Sequence, residues 1–181
     1  SLRETQTYEI IEDVAQRKSE IGLLYLNDFN RTALQKLLRG ADLDFTPLFT
    51  AHAHVFLSSD HPLSGARAVS FDDLASYPYL SFEQGDHNSF YFSEEIFSPA
   101  VRSKNIRVRD RATLFNLLIG LQGYTVCSGV IDSKLNGENI VAVPLTGVAP
   151  MEIGYILPAG VQPGSLCRAY IENLKQYVPI D

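Results

Sequence analysis

The chain has 181 residues, 45% of them hydrophobic and 20% charged, and a net charge of -6. That length allows one large domain or two smaller lobes with real cores. The acidic balance argues against a surface that grips nucleic acid, which needs clustered Lys and Arg. No apolar run reaches the length of a membrane span, and no signal peptide opens the chain. Cys127 and Cys167 lack CxxC spacing and read as buried free thiols of a reducing compartment.

In chain order, Ser1–Arg3 supplies half a strand, and Thr7 is placed to cap a helix carrying Ile10, Ile11 and Val14 on one face. Glu20–Leu26 is a continuous apolar strand of the kind buried on both faces. Asn27–Asn30 is a loop ending in a cap residue. Arg31–Arg39 is a helix with Leu34, Leu37 and Leu38 inward, closed by Gly40. Asp42–Phe49 and His52–Ser58 are two further strands. His52 and His54 share one strand face. Even with His61 they lack a third and fourth ligand at the usual spacing, so they read as exposed strand-face histidines and no metal is expected. Asp60–Leu63 is a turn, and Ser70–Leu74 a short capped helix. Pro78 forces extended backbone before the strand Tyr79–Phe82. A polar loop, 83–89, and a helix, 90–97, follow.

Ile106–Gly129 is the most structured stretch. Ile106 and Val108 alternate with Arg107 and Arg109 as a strand with one solvated face. Asp110 caps a helix bearing Leu114, Phe115, Leu117, Leu118 and Leu121, and Gly123 stops it. Tyr124–Cys127 is a second strand. Strand, helix, strand units build parallel sheets, and their strand-to-helix junction, here Arg109–Thr113, is where such folds bind small ligands. Val130–Leu135 reads as a short helix, Ile140–Val143 as a strand ended by Pro144, and Thr146–Pro150 as a linker. Glu152–Leu157 is a strand. Ser165–Val178 is an amphipathic helix with Leu166, Tyr170, Ile171, Leu174 and Tyr177 on its apolar face. Breaks near Tyr77 and at Pro144–Pro150 imply two lobes joined by two crossings: 1–77 with 147–181, and 78–146, with crossover strands near 77–80 and 143–150.

Taken together, these residues resemble the effector-binding domain of LysR-type transcriptional regulators. Glu20-Ile21-Gly22-Leu23 is similar to that family's acid-Ile-Gly-Leu strand, and His61-Pro62-Leu63-Ser64 to its His-Pro-Leu-small turn. Val69–Leu74 through Pro78 resembles the helix that ends its first lobe. Asp110–Gly123 resembles the helix that follows an Asp and ends in a Gly-rich corner. There are departures: the family's Gly-x-Gly is Leu121-Gln122-Gly123 here, and Ser128-Gly129 stands where it carries a proline. The resemblance implies an α/β, two-lobed, periplasmic-binding-protein-like (type 2) fold, each lobe a mixed, mostly parallel sheet flanked by helices. The first strand and helix of lobe I, and the winged helix-turn-helix that binds DNA, would precede Ser1. It further implies a cytoplasmic sensor without a cofactor. A small-molecule inducer, an amino acid or organic acid, would lie between the lobes. DNA would be reached only through the N-terminal domain, and self-association would give a homodimer, or a tetramer at full length.

Strand ends and helix starts nominate the ligand-binding residues. In the second lobe these are Ser81, Glu83 and Gln84, then Thr113 and Asn116 beside Arg111 and Ala112, then Ser128. In the first lobe they are Thr5, Thr7, Tyr25 and Asn27. Ser81 ends an otherwise aromatic strand, and Glu83 offers a counter-charge to an amine. Helix N-termini near Ser89 and Thr113 offer N–H groups to a carboxylate. Thr7 doubles as a plain N-cap, and Tyr25 as a core residue. No catalytic residue is nominated. His87 has Asp86 and Ser89 beside it, but three such close neighbours rarely form a triad, and no Gly-x-Ser-x-Gly elbow exists. The alternatives are a solute-binding protein of a transport system and a small hydrolase using the same cleft.

Overall fold

A computed structural model describes residues 1–83, 92, 104–130 and 137–176. Contacts divide the chain into two compact units: 1–51 with 84–92 and 150–181, and 52–83 with 93–149. The expected loop 84–89 and the helix 90–97 (Phe92 apart) lie outside the described residues, as do Gln84 and most of Val130–Leu135.

The first unit contains helix α1 (Thr7–Ala15), strand β1 (Gly22–Leu26), helix α2 (Arg31–Gly40) and strand β2 (Leu43–Ala51). Strand β8 (Met151–Pro158) and helix α4 (Ser165–Gln176) return to it from the far end of the chain. The sheet order is β1-β8-β2, and β8 runs antiparallel to both neighbours. The pairing of these described strands is thus antiparallel where a mostly parallel sheet was expected, because β8 enters against β1 and β2 and separates them. Strand β1 alternates buried and half-buried residues rather than burying both faces. Its core side joins Ile11 and Val14 of α1, Leu34 and Leu38 of α2, Leu43 and Ile156. Each fully buried Leu or Ile contributes roughly 1.5–3 kcal/mol. Gly22 lets α1 lie flat on β1: a Cβ there would stand 2.5 Å from Ile10 Cγ2. Glu20, the acid of the same motif, accepts a hydrogen bond from the Gly164 N–H at 2.6 Å and ties the entry of β1 to the start of α4.

Thr7 is not the cap of α1. Gln6 holds that position without a side-chain cap bond, and Thr7 is the buried first residue of the helix. On α4, Cys167 and Ile171 face inward, whereas Leu166 and Tyr170, one position off that stripe, are exposed.

The second unit contains strands β3 (His54–Ser58), β4 (Tyr79–Phe82), β5 (Asn105–Val108), β6 (Thr125–Cys127) and β7 (Ile140–Pro144), and helix α3 (Arg111–Leu121). Strand β3 lies between β6 and β7, antiparallel to each. This pairing draws residues 52–77 into the second unit, whereas the sequence divides the lobes at Tyr77. Strands β4 and β5 run parallel, and Tyr124, at the start of β6, bridges Tyr79 in parallel. The strand, helix, strand unit of β5, α3 and β6 forms as the periodicity predicts, and β4 lies between its two strands, which the sequence did not show. Leu114 and Leu118 of α3 pack on Leu80, Val108 and Phe56.

Three details differ from the sequence reading. Ser70–Leu74 forms turns, not a helix, although Ser70 and Asp73 exchange the bonds of a capping box: Ser70 N–H to Asp73 Oδ2 at 2.8 Å, and Asp73 N–H to Ser70 Oγ at 3.3 Å. Gln122, with φ 49°, takes the left-handed position that ends α3. Gly123 is instead required by contact, since a Cβ there would lie 2.9 Å from the Pro78 carbonyl oxygen. His61 is buried, at 2% exposure, not on a solvated face. Its Nδ1 accepts from the Leu63 N–H at 3.0 Å, and its ring lies against Tyr77 with centroids 4.3 Å apart and planes tilted by 55°.

Candidate functional site

In the second unit the polar candidates gather where β4 and β5 end side by side. The register pairs Ser81 with Arg107 and Phe82 with Val108, and the Glu83 N–H donates to the Val108 carbonyl at 2.8 Å. One residue beyond each strand, Arg109 Nε donates to Glu83 Oε2 at 2.5 Å and Nη2 to Oε1 at 3.4 Å. This two-point pair holds the Glu83 carboxyl below its usual range, through the hydrogen bond first and the charge second. Both groups meet solvent, with Arg109 at 84% side-chain exposure, so the pair aligns the loop ends more than it stabilises the fold.

The chain then enters α3. Asp110 is extended, and its carboxylate accepts from the Thr113 N–H at 2.8 Å (Oδ1) and from Thr113 Oγ1 at 2.8 Å (Oδ2). These bonds, backbone before side chain, lower the Asp110 pKa. The terminus expected to offer N–H groups to a ligand thus already holds its own carboxylate at Thr113. Asn116, one turn on, is exposed. Ser81 is buried at 8% exposure, not open at a strand edge, and its hydroxyl donates to Asn105 Oδ1 at 3.2 Å.

Ser128 follows β6, half-buried, and its Oγ accepts from the Val130 N–H at 3.4 Å. Beside it Gly129 has φ 77° and lies against the His54 ring, where a Cβ would come within 2.4 Å of Nδ1. His54 Nδ1 sits 2.9 Å from the His52 carbonyl; a carbonyl only accepts, so that nitrogen carries the proton. Burial pushes the Cys127 thiol up to about 12, and its Sγ donates to the His54 carbonyl at 3.6 Å. It is not a nucleophile at neutral pH.

In the first unit, Asn27 and Asn30 staple the turn between β1 and α2. Asn27 Oδ1 accepts from the Phe29 N–H at 3.0 Å and the Asn30 N–H at 2.9 Å, and Asn30 Oδ1 accepts from the Asn27 N–H at 2.8 Å. The Asn27 oxygen is therefore used in shaping the loop. Tyr25, half-buried on β1, pairs with Ile153 across the sheet, and its carbonyl accepts from Asn30 Nδ2 at 3.3 Å. Thr5 is half-buried, and its hydroxyl donates to Glu9.

The structure thus joins Glu83, Arg109, Asp110 and Thr113 at one strand-and-helix end. Sequence reasoning nominated Glu83 and Thr113 but missed Arg109 and Asn105 as partners. Alternation along β5 was the available signal. The partners follow only from the parallel β4–β5 register.

The chain is thus a two-unit α/β protein whose parallel strand pair ends at a capped helix. The LysR substrate binding domain family matches residues 1–179, and the chain belongs to that family, which is one of transcriptional regulators. Solved structures agree on the fold. HinK, a LysR family transcriptional regulator from Pseudomonas aeruginosa, superposes with a TM-score of 0.66 at 14% identity, over 96% of this chain and 58% of that one. The effector binding domain of QuiR in complex with shikimate gives 0.64 at 16% identity, over 98% and 80%. The BenM effector binding domain with its effector benzoate gives 0.64 at 18% identity, over 98% and 78%. The chain spans 58% of the HinK chain. A comparison with curated proteins finds no match. Among the described residues, no helix is long and apolar enough to cross a membrane.

Proposed function

We propose that the chain is the effector-sensing domain of a cytoplasmic LysR-type transcriptional regulator and is not an enzyme. It reads a small polar metabolite, an amino acid or organic acid, and favours one arrangement of a homodimer, or of a tetramer at full length, over another. DNA is contacted by an N-terminal domain outside this sequence. The observation that carries the reading is the polar cluster of Glu83, Arg109, Asp110 and Thr113 at the ends of parallel strands, in a chain whose family binds ligands. Ser81, Asn116 and Ser128 complete the second unit's candidates; Gln84 is retained from the sequence. Thr5, Thr7, Tyr25 and Asn27 are those of the first unit. A hydrolase using this end is disfavoured by the state of the thiol there, which burial holds protonated.

Isothermal titration against a metabolite panel, with Ser81→Ala and Thr113→Val beside the parent, tests this. The expected result is saturable binding of one metabolite, weakened in at least one variant. Undiminished binding in both variants removes these residues from the site. Absence of any metabolite binding refutes the sensor.

A further inference from the structure

The first unit holds a cavity of about 290 Å³, at the small end of ligand pockets. It lies where α1 ends and β1 begins, lined by Arg17, Lys18 and Glu20. The candidates of that unit stand at the opposite ends, Thr7 opening α1 and Asn27 following β1. One wall is the turn after α1, which closes the helix as a Schellman motif. The Arg17 N–H donates to the Val14 carbonyl at 3.1 Å, and the Lys18 N–H to the Asp13 carbonyl at 2.8 Å. Arg17 takes the left-handed position of that motif, φ 59°, which glycine fills with least strain. The other wall is the end of β8, Leu157 and Pro158, and the turn bearing the exposed Val161, whose N–H donates to the Pro158 carbonyl at 3.2 Å. The bond from the Gly164 N–H to Glu20 Oε1, at 2.6 Å, fastens the two walls together. Backbone bonds thus hold both walls, and the cavity is preformed.

Its lining mixes positive charge with apolar surface. Among the described residues, the Arg17 guanidinium and the Lys18 ammonium have neither an ion-pair nor a hydrogen-bond partner. The acid of the lining, Glu20, already has one oxygen engaged by Gly164. Two cations therefore stand against one carboxylate that is partly used. Leu157, Pro158 and Val161 give the same cavity an apolar side.

We propose that this cavity is a second binding site of the chain, for a small organic carboxylate with an apolar body. Arg17 and Lys18 hold the carboxylate through charge-assisted hydrogen bonds, and Leu157, Pro158 and Val161 cover the body. The site shares no residue with the candidates of the sensor reading and stands or falls apart from it.

The test is nuclear magnetic resonance mapping of backbone amide shifts in the full chain. The probes are phenylacetate and isovalerate, their neutral amides, and inorganic phosphate. At least one of the two carboxylates is expected to shift the Lys18, Ser19 and Val161 amides saturably. Its amide and phosphate are expected to bind there about tenfold more weakly, the scale of one charge-assisted bond. Arg17→Gly suits the left-handed turn, so its melting midpoint should hold or rise while carboxylate binding weakens about tenfold. Saturable shifts confined to other amides, or none with either carboxylate, overturn the site. Equal binding by the amide overturns recognition by charge, and equal binding by phosphate overturns the apolar body. Undiminished binding in Arg17→Gly removes Arg17 from the site and overturns the assignment.

Discussion

Gly154 stands in the middle of β8, opposite Leu24 on β1 and Pro47 on β2. A Cβ at that position lies 2.4 Å from the Thr46 carbonyl oxygen and 2.4 Å from Phe45 Cζ. The ring can turn aside only by leaving the sheet face it covers. The oxygen belongs to the backbone of β2 and withdraws only if the β2–β8 pairing opens. Overfilling a packed site costs about 1–3 kcal/mol, and a clash with backbone puts Gly154→Ala at the upper end, about 3 kcal/mol. For a chain of this size each kcal/mol moves the melting midpoint by about 2–4 °C, so a drop of roughly 6–12 °C is expected. Thermal denaturation followed by far-ultraviolet dichroism measures it. Gly40→Ala is the control: nothing lies within 4 Å of its Cβ, and alanine is the better helix former by about 1 kcal/mol, so stability should hold or rise. A Gly154→Ala protein as stable as its parent would refute the close packing of β8 on β2.

The other predictions concern single groups. Asp110→Ala removes the side-chain cap of α3. The Thr113 amide should then exchange with solvent faster; an unchanged rate would mean that the cap does not hold the helix start. Burial lowers the His61 pKa from 6.5, and the Gln122 backbone opposes this only in part. The unfolded chain therefore takes the proton first. The contribution of His61 to stability is fully present above about pH 6.5 and is lost as pH falls through that value towards the lower folded one. Denaturation midpoints between pH 7.5 and 5 should decline in the parent and flatten in His61→Gln. A midpoint rising on acidification would contradict the sign. Cys127, at about 12, holds about one thiolate in ten thousand at pH 8. Iodoacetamide should label it slowly in the native protein and readily in urea, and mass mapping of the modified peptide distinguishes it from Cys167.

Local signals were read well because local physics decides them. Asp110 ahead of an apolar helical repeat is a cap, and the Thr113 contacts bear it out. Gly22 and Glu20, by contrast, entered only through the resemblance, and their causes are tertiary: the close approach of α1 and the distant Gly164 amide. What the sequence hid depends on register. That β8 divides β1 from β2 cannot be seen in any window, nor can the alignment that sets Arg109 on Glu83. The histidine of the His-Pro-Leu turn carries the same polarity whether solvated or packed against Tyr77, so its burial was illegible. Gly123 looked like a helix stop, but the stop fell on Gln122, because the glycine is needed where the chain passes Pro78.

The position of β8 has a consequence for synthesis. β1 and β2 pair with β8 and not with each other, so the strands within residues 1–51 keep open edges until Met151–Pro158 has emerged. The second unit draws on nothing beyond residue 149 and is complete sooner. At about 5–20 residues per second, the roughly 100 residues between Ala51 and Met151 take about 5–20 s to make, long on the scale of strand pairing. The unit begun second is completed first, and the strands made first wait with exposed edges, the state in which a nascent chain is most open to aggregation or to a chaperone.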